Sequence, residues 1–159
     1  PEVNQFLEVR FIPQDWKTAT EFVASFWCDI ECYLWAIYPN DEDEPVGTIT
    51  LQKVDRNNGA GEFGIMVGDK EHWGNGASAE AISLMARFAF DTLGLRRLAA
   101  GTYAANHGMN FTLKKLGFVI EGKLRKAFVL RSGNISDGYR WGLLAEEWKA
   151  QEAGHGAAS

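Results

Sequence analysis

The feature that most restricts this chain is the stretch from Glu62 to Gly94, where a strand-like run, a glycine-bracketed loop and a long apolar helical face follow one another. Glu62-Phe63-Gly64-Ile65-Met66-Val67 reads as a strand, and Gly74-Asn75-Gly76 then interrupts regular structure. Ala77, Ala81, Leu84, Met85 and Phe88 recur at helical spacing up to a stop at Gly94. A strand feeding a helix through such a loop aims the first helical N–H groups, and the positive end of the helix dipole, at one anion-sized space. A diphosphate fits that space, although two glycines before a helix also make an ordinary tight turn. No Gly-Lys-Ser/Thr follows, and the third glycine and downstream acid of a dinucleotide fingerprint are missing, which disfavours nucleoside triphosphates and NAD.

The elements on either side define the fold class. Phe22, Val23, Phe26 and Trp27 give a helix from Ala19 to about Cys32. Tyr33–Tyr38 and Val46–Val54 form an antiparallel hairpin across the Pro-flanked turn Asp41-Glu42-Asp43-Glu44, and Glu62–Val67 extends it to a meander after the turn Asp55-Arg56-Asn57-Asn58-Gly59. Beyond the central helix come a strand over Arg97–Tyr103 and a helix over Asn106–Leu116 closed by Gly117. Strands over Phe118–Leu130 and Ile135–Leu144 then flank the turn Arg131-Ser132-Gly133-Asn134. The class is α+β: a mixed sheet flanked by helices, in one domain over residues 1–150 with a flexible tail over 151–159 rich in Gly, Ala and Ser.

Composition removes several functions. With 159 residues, 46% of them hydrophobic, the chain can bury a core without disulfides or a structural metal. No apolar run approaches the roughly 20 residues that cross a bilayer, and Pro1-Glu2-Val3-Asn4-Gln5 has neither a basic nor an apolar leader region, so the default setting is cytoplasmic, with no membrane partner. A net charge of −5 speaks against nucleic acid and favours a cationic substrate. Cys28 and Cys32 read as buried thiols, because His72, His107 and His155 do not complete a metal-ligand cluster with them.

The same loop and helix, with Ala79-Glu80-Ala81, then Asn106, Lys115-Leu116-Gly117-Phe118, Glu121-Gly122 and Asp137-Gly138-Tyr139, stand in an order that resembles the GNAT acyl-CoA N-acyltransferases. The likeness runs from Tyr33 to Trp148 and is nearest the branch of ribosomal-protein N-terminal and spermidine acetyltransferases. It implies a GNAT fold whose central, mostly antiparallel sheet is splayed, the Glu62–Val67 strand parting from Arg97–Tyr103 to admit acetyl-CoA. On that resemblance Ile65, Met66 and Val67 pair with the pantetheine amides, and Trp73, Gly74, Asn75, Gly76, Ala77 and Ser78 hold the diphosphate. Asn106 contacts the cofactor arm or simply caps its helix, and Glu62 is a general base acting through water or an ordinary strand-edge carboxylate.

The implied activity is transfer of an acetyl group from acetyl-CoA, without a metal, to a primary amine: a peptide N-terminus, a polyamine or another small amine. Homodimers are common among such relatives. Two departures keep a non-catalytic acyl-CoA-binding module open: Trp73 replaces a family Arg or Gln, and Leu113 the Tyr that protonates the leaving thiolate; Met109, in place of a small residue, changes packing near the thioester. The many tryptophans keep a protein-interaction domain open. Trp16, Trp27 and Trp35 read as core or interface aromatics or as the floor of an acceptor cleft, and Tyr103 and Tyr139 as structural or acceptor-site hydroxyls. His72 and His107 lie at the surface or reach the cofactor, and Arg125 and Lys126 bind the acceptor or face water.

Overall fold

The computed structural model describes residues 3–7, 11, 15–26 and 31–156. Its centre is a six-stranded sheet in the order β1-β2-β3-β4-β6-β5. The strands are β1 (Tyr33–Ile37), β2 (Gly47–Asp55), β3 (Ala60–Val67), β4 (Arg97–Tyr103), β5 (Val119–Val129) and β6 (Ile135–Leu144). All neighbours are antiparallel except β3 and β4. The mixed, mostly antiparallel architecture expected from the sequence is the one observed.

The helices are α1 (Trp16–Ser25), α2 (Ala77–Arg87), α3 (His107–Lys115) and α4 (Ala145–Gly156). α2 continues through a π-helical turn, Phe88–Thr92, before Gly94 leaves in the left-handed region at φ +68°. Leu93 N–H reaches the Phe88 carbonyl there, and the Phe88 ring meets Tyr33 and Trp35 edge-on, each with centroids 5.3 Å apart. The widened turn thus fastens the end of α2 to the aromatic face of β1.

Strand alternation divides the sheet into unlike faces. Leu51, Phe63, Leu98, Trp141 and Leu143 point to one side, where they form a continuous core with Ile82 and Met85 of α2, Leu113 of α3 and Trp148 of α4. Leu51, Ile82, Leu98, Leu113 and Leu143 are fully buried, each worth about 2 kcal/mol of transfer free energy. Their alternate neighbours, among them Glu62, Gly64, Met66, Gly101 and Arg140, therefore lie on the face opposite these helices.

Two expectations need correction. α1 begins at Trp16 because Asp15 caps it, accepting from Thr18 N–H at 2.8 Å within a capping box, and it closes at Ser25 with Phe26 as C-cap. Glu31 and Cys32, expected in that helix, lie outside it; Trp27 and Cys28 fall outside the described residues. The second correction is at the other end, where Gln151, expected to open a flexible tail, belongs to α4. That helix is anchored by Trp148 against Phe90, centroids 6.3 Å apart, and by an Arg87–Glu152 ion pair of 2.7 Å. Among the described residues no helix is long and apolar enough to cross a membrane.

Candidate active site

The sheet forks at Glu62. β3 and β4 pair only at Ala60/Arg97, Gly61/Leu98 and Glu62/Ala99, after which Phe63–Val67 and Ala100–Tyr103 have no pairing with each other. Each strand stays bonded on its outer side, β3 to β2 as far as Val67/Gly47 and β4 to β6 as far as Tyr103/Gly138. The inner edges of the fork therefore carry backbone groups with no strand partner, the geometry that accepts an extended amide-bearing ligand.

The end of β3 leads through a short 3₁₀ turn, Lys70–His72, into the glycine loop at the start of α2. Gly74 and Gly76 adopt φ of +76° and +100°, and a Cβ built on either meets nothing within 4 Å. Left-handed backbone with open space beside it explains why glycine is required here. Asn75 Oδ1 accepts from Ala77 N–H at 3.2 Å, and Gly76 caps α2 without a side chain. The N–H groups of Ser78 and Ala79 remain at the positive end of the helix, so the cradle suits a phosphate group.

Trp73 does not take a phosphate-binding posture. Its indole N–H donates to the Val67 carbonyl at 2.9 Å, which ties the loop back onto β3. One acceptor expected to be available for an amide ligand thus already has a donor, whereas Ile65 packs on the core and Met66 is 36% exposed.

Glu62, at the crotch of the fork, is clamped by two cations. Lys53 Nζ lies 2.9 Å from its Oε2, and Arg140 donates to its Oε1 at 3.0 Å from two strands away. Burial pushes the Glu62 carboxyl up, but the hydrogen bonds and charges of Lys53 and Arg140 outweigh it and hold the group below the ordinary glutamate value. Both partners owe their positions to backbone features. Lys53 sits in a β-bulge at φ +50°, which turns its side chain toward Glu62. Arg140 crosses β4 over Gly101, where even a Cβ would touch its guanidinium at 3.5 Å.

At the open end of β4, Tyr103 is buried and stacks on Phe128 at 4.1 Å, with Phe6 at 5.9 Å. Asn110 braces α3 to this end: it accepts from Thr102 Oγ1 at 2.6 Å and donates to the Tyr103 and Ala104 carbonyls at 3.1 Å. Asn106 caps α3, its Oδ1 accepting from Met109 N–H at 3.2 Å. His72 is held between Asp69 at 3.2 Å and Glu42 at 3.0 Å, which links the acidic turn to the loop, while His107 is exposed at the start of α3. Trp16 is 87% exposed, Trp35 stacks on Tyr33, and Trp27 is outside the described residues. Arg125 and Lys126 lie in a bulge of β5 whose Lys126 N–H donates to Asp137 at 2.8 Å. No group of metal-ligating side chains occurs among the described residues.

A family model described as an acetyltransferase (GNAT) domain matches residues 1–119. The chain belongs to the GNAT acetyltransferase family. It is 32% identical over 114 residues to the uncharacterized N-acetyltransferase p20 of Bacillus licheniformis, covering 72% of this chain and 63% of that protein. It is 36% identical over 103 residues to the uncharacterized N-acetyltransferase YoaA of Bacillus subtilis strain 168, covering 65% of this chain and 57% of that one. The chain therefore spans about three fifths of the length of these curated relatives. A spermidine N-acetyltransferase from Vibrio cholerae, solved in complex with CoA and spermine, superposes with a TM-score of 0.82 over 92% of this chain and 85% of that one. At 18% identity this likeness is one of fold.

Within the GNAT frame, the departures seen in the sequence acquire physical content. Leu113 is fully buried in the core and offers no proton donor. Met109 packs against the same core, and Trp73 exchanges a charged contact for an anchor on β3. The sequence reading missed Lys53, Arg140 and Asn110. Arg140, a charged residue between the aromatics Tyr139 and Trp141, was the one visible signal.

Proposed function

We propose that this chain transfers an acetyl group from acetyl-CoA to a primary amine, both substrates being bound together. The observation that carries this is the fork at Glu62, whose unpaired inner edges end beside the glycine cradle of α2. Ile65 and the remaining groups of Val67 line one edge and would pair with the amides of the pantetheine arm, whereas the Met66 carbonyl faces β2 beside Gly47 and leaves Met66 only its side chain to offer. The N–H groups of Gly74, Asn75, Gly76 and Ser78 would receive the diphosphate, in the space that the two glycines leave open, while the Ala77 N–H is held by Asn75. Asn106 serves as helix cap and can contact the same arm through its amide nitrogen.

When bound, acetyl-CoA supplies an activated acyl carbon, and the chain's residues position the amine and handle its proton. The amine nitrogen bonds to the acyl carbon, the carbon–sulfur bond breaks, and CoA leaves as a thiol. The ammonium gives up two protons in all: one before attack, and a second, from the nitrogen once it is bonded to the acyl carbon, which ends on the departing sulfur. Glu62, ionised at the crotch of the fork, receives the first through water. Because its neighbours hold its carboxyl low, Glu62 is a weak base, and most of the acceleration must come from placing the reactants. Release of CoA thiol from acetyl-CoA in the presence of peptides, amino acids and polyamines is the direct test. A protein that CoA stabilises thermally but that turns over no amine would be an acyl-CoA-binding module instead.

A further inference from the structure

The acceptor's chemistry follows from what surrounds Glu62, granted the acetyl-transfer reading above. α2 and α3 cover one face of the sheet, so an amine reaches the fork from the opposite face, where Glu62 points. Polyamine recognition needs carboxylates with no cation of their own, to take the second and third ammonium groups. Beside the crotch of the fork two described carboxylates, Glu62 and Glu121, lie on this face and both are occupied: Glu62 by Lys53 and Arg140, Glu121 by a two-pronged pair with Arg97. Within this described cluster three cations thus face two anions, in a protein whose overall charge is negative.

Arg140 is the focus of this excess charge. Its side chain is 51% exposed, and it uses one nitrogen on Glu62 while lying over Gly101 at the fork. Its other nitrogens are donors beside the point where the amine must arrive, in the planar geometry that suits a carboxylate. Lys53, 71% exposed, stands on the other side of Glu62, held there by its left-handed backbone. We infer that the acceptor is an amine carrying a carboxylate close to it, an acidic amino acid or an acidic peptide N-terminus, with Arg140 as the residue that selects it and Lys53 as its support.

The test compares four acceptors with the full chain: free glutamate, a peptide beginning Ser-Asp-Glu, its amide-matched twin beginning Ser-Asn-Gln, and spermine. Binding is measured by calorimetry with CoA present, and turnover separately with acetyl-CoA. The acidic peptide or glutamate is expected to bind about tenfold more tightly than the amide twin, about 1.4 kcal/mol. Which of the two leads identifies the source of the carboxylate. Arg140→Gln should level the series, and Lys53→Asn, which tolerates the left-handed backbone, should reduce the preference while the CoA-induced rise in melting temperature persists. Spermine binding more tightly than either carboxylate-bearing amine would overturn the inference, as would a preference unchanged in Arg140→Gln. Absence of turnover with every amine would defeat the acetyl-transfer reading, and the calorimetric order would still decide the acceptor's chemistry.

Discussion

Gly47 offers the sharpest test of how the fork is built. It lies on β2 opposite Val67, and a Cβ there would overlap the Met66 carbonyl oxygen and stand 3.0 Å from Val67 Cα. The obstacle is backbone, so no rotamer change relieves it, and β3 must move away from β2 just where its inner edge lines the fork. Overpacking of this kind costs about 2–3 kcal/mol. In a chain of this length that corresponds to a fall in melting temperature of about 4–12 °C. Gly64→Ala is the matched control on the same strand pair: its Cβ meets only the Thr50 hydroxyl, at 3.2 Å, and removing a glycine from a strand gains about 0.5–1 kcal/mol. Thermal melts of Gly47→Ala, Gly64→Ala and the parent chain, each with and without CoA, separate the effects. Gly47→Ala should lose stability and also a large part of the CoA-induced rise, since the fork-facing groups of Ile65 and Val67 move with the Met66 carbonyl. A melting temperature no lower than that of Gly64→Ala would refute the tight β2–β3 approach at Met66.

Three further outcomes are expected. Because the folded Glu62 carboxyl is held low, the stability it contributes is present above the ordinary glutamate range and is lost as pH falls through its lowered value. Glu62→Gln should therefore be less stable than the parent at about pH 7, the two should converge as pH falls below the lowered Glu62 value, and parallel melting curves across that window would contradict the clamp. Gly76→Val puts a β-branched side chain at φ +100° in the open cradle and should abolish the CoA-induced thermal shift, so CoA affinity at the parent level by calorimetry would displace the diphosphate from this loop. Asn110→Ala strips donors from the Tyr103 and Ala104 carbonyls and an acceptor from the Thr102 hydroxyl, a loss of about 2–3 kcal/mol by denaturant titration, whereas an exposed and idle Asn110 would give near zero.

The parts of the fold legible in the sequence were those that a local period or a single residue type specifies. β4 over Arg97–Tyr103 and α3 behind its Asn106 cap came from alternation, a cap and a glycine stop, all within a few residues. The cradle was legible because φ above zero is a property of one position, and glycine announces it. α4 was not, since one buried aromatic, Trp148, in a run of Glu, Lys, Ala and Gln gives almost no apolar stripe, and its anchors lie on α2 and the π-helical turn. α1 was misplaced because its start is written in the Asp15–Thr18 capping box, while its exposed Phe22 and Val23 are not a buried face. The π-helical turn has no local signature; it follows from where Phe88 must go to meet Tyr33 and Trp35.

The candidate site was legible only in part, for a reason that bears on substrate choice. Net charge speaks to solubility and to long-range steering, whereas a site feels the few charges that the fold converges upon it. The acidic run Asp41–Glu44, which contributes much of the overall −5, is exposed at the far end of the β1–β2 hairpin with Glu42 on His72. Glu62, by contrast, meets Arg140, 78 residues away in sequence, only through the β3-β4-β6 strand order, and meets Lys53 only through a bulge. No periodicity records either meeting. An overall charge that favoured a cationic acceptor thus coexists with a crotch where Lys53 and Arg140 flank Glu62, and on the proposed reading the local charges govern because they act over about 3 Å across a half-buried carboxylate, where screening is weakest. Raising salt should therefore change the preference between the acidic peptide and its amide twin far less than it changes any long-range attraction to the chain as a whole; a preference that vanished with added salt would place its origin outside the Arg140–Glu62 cluster.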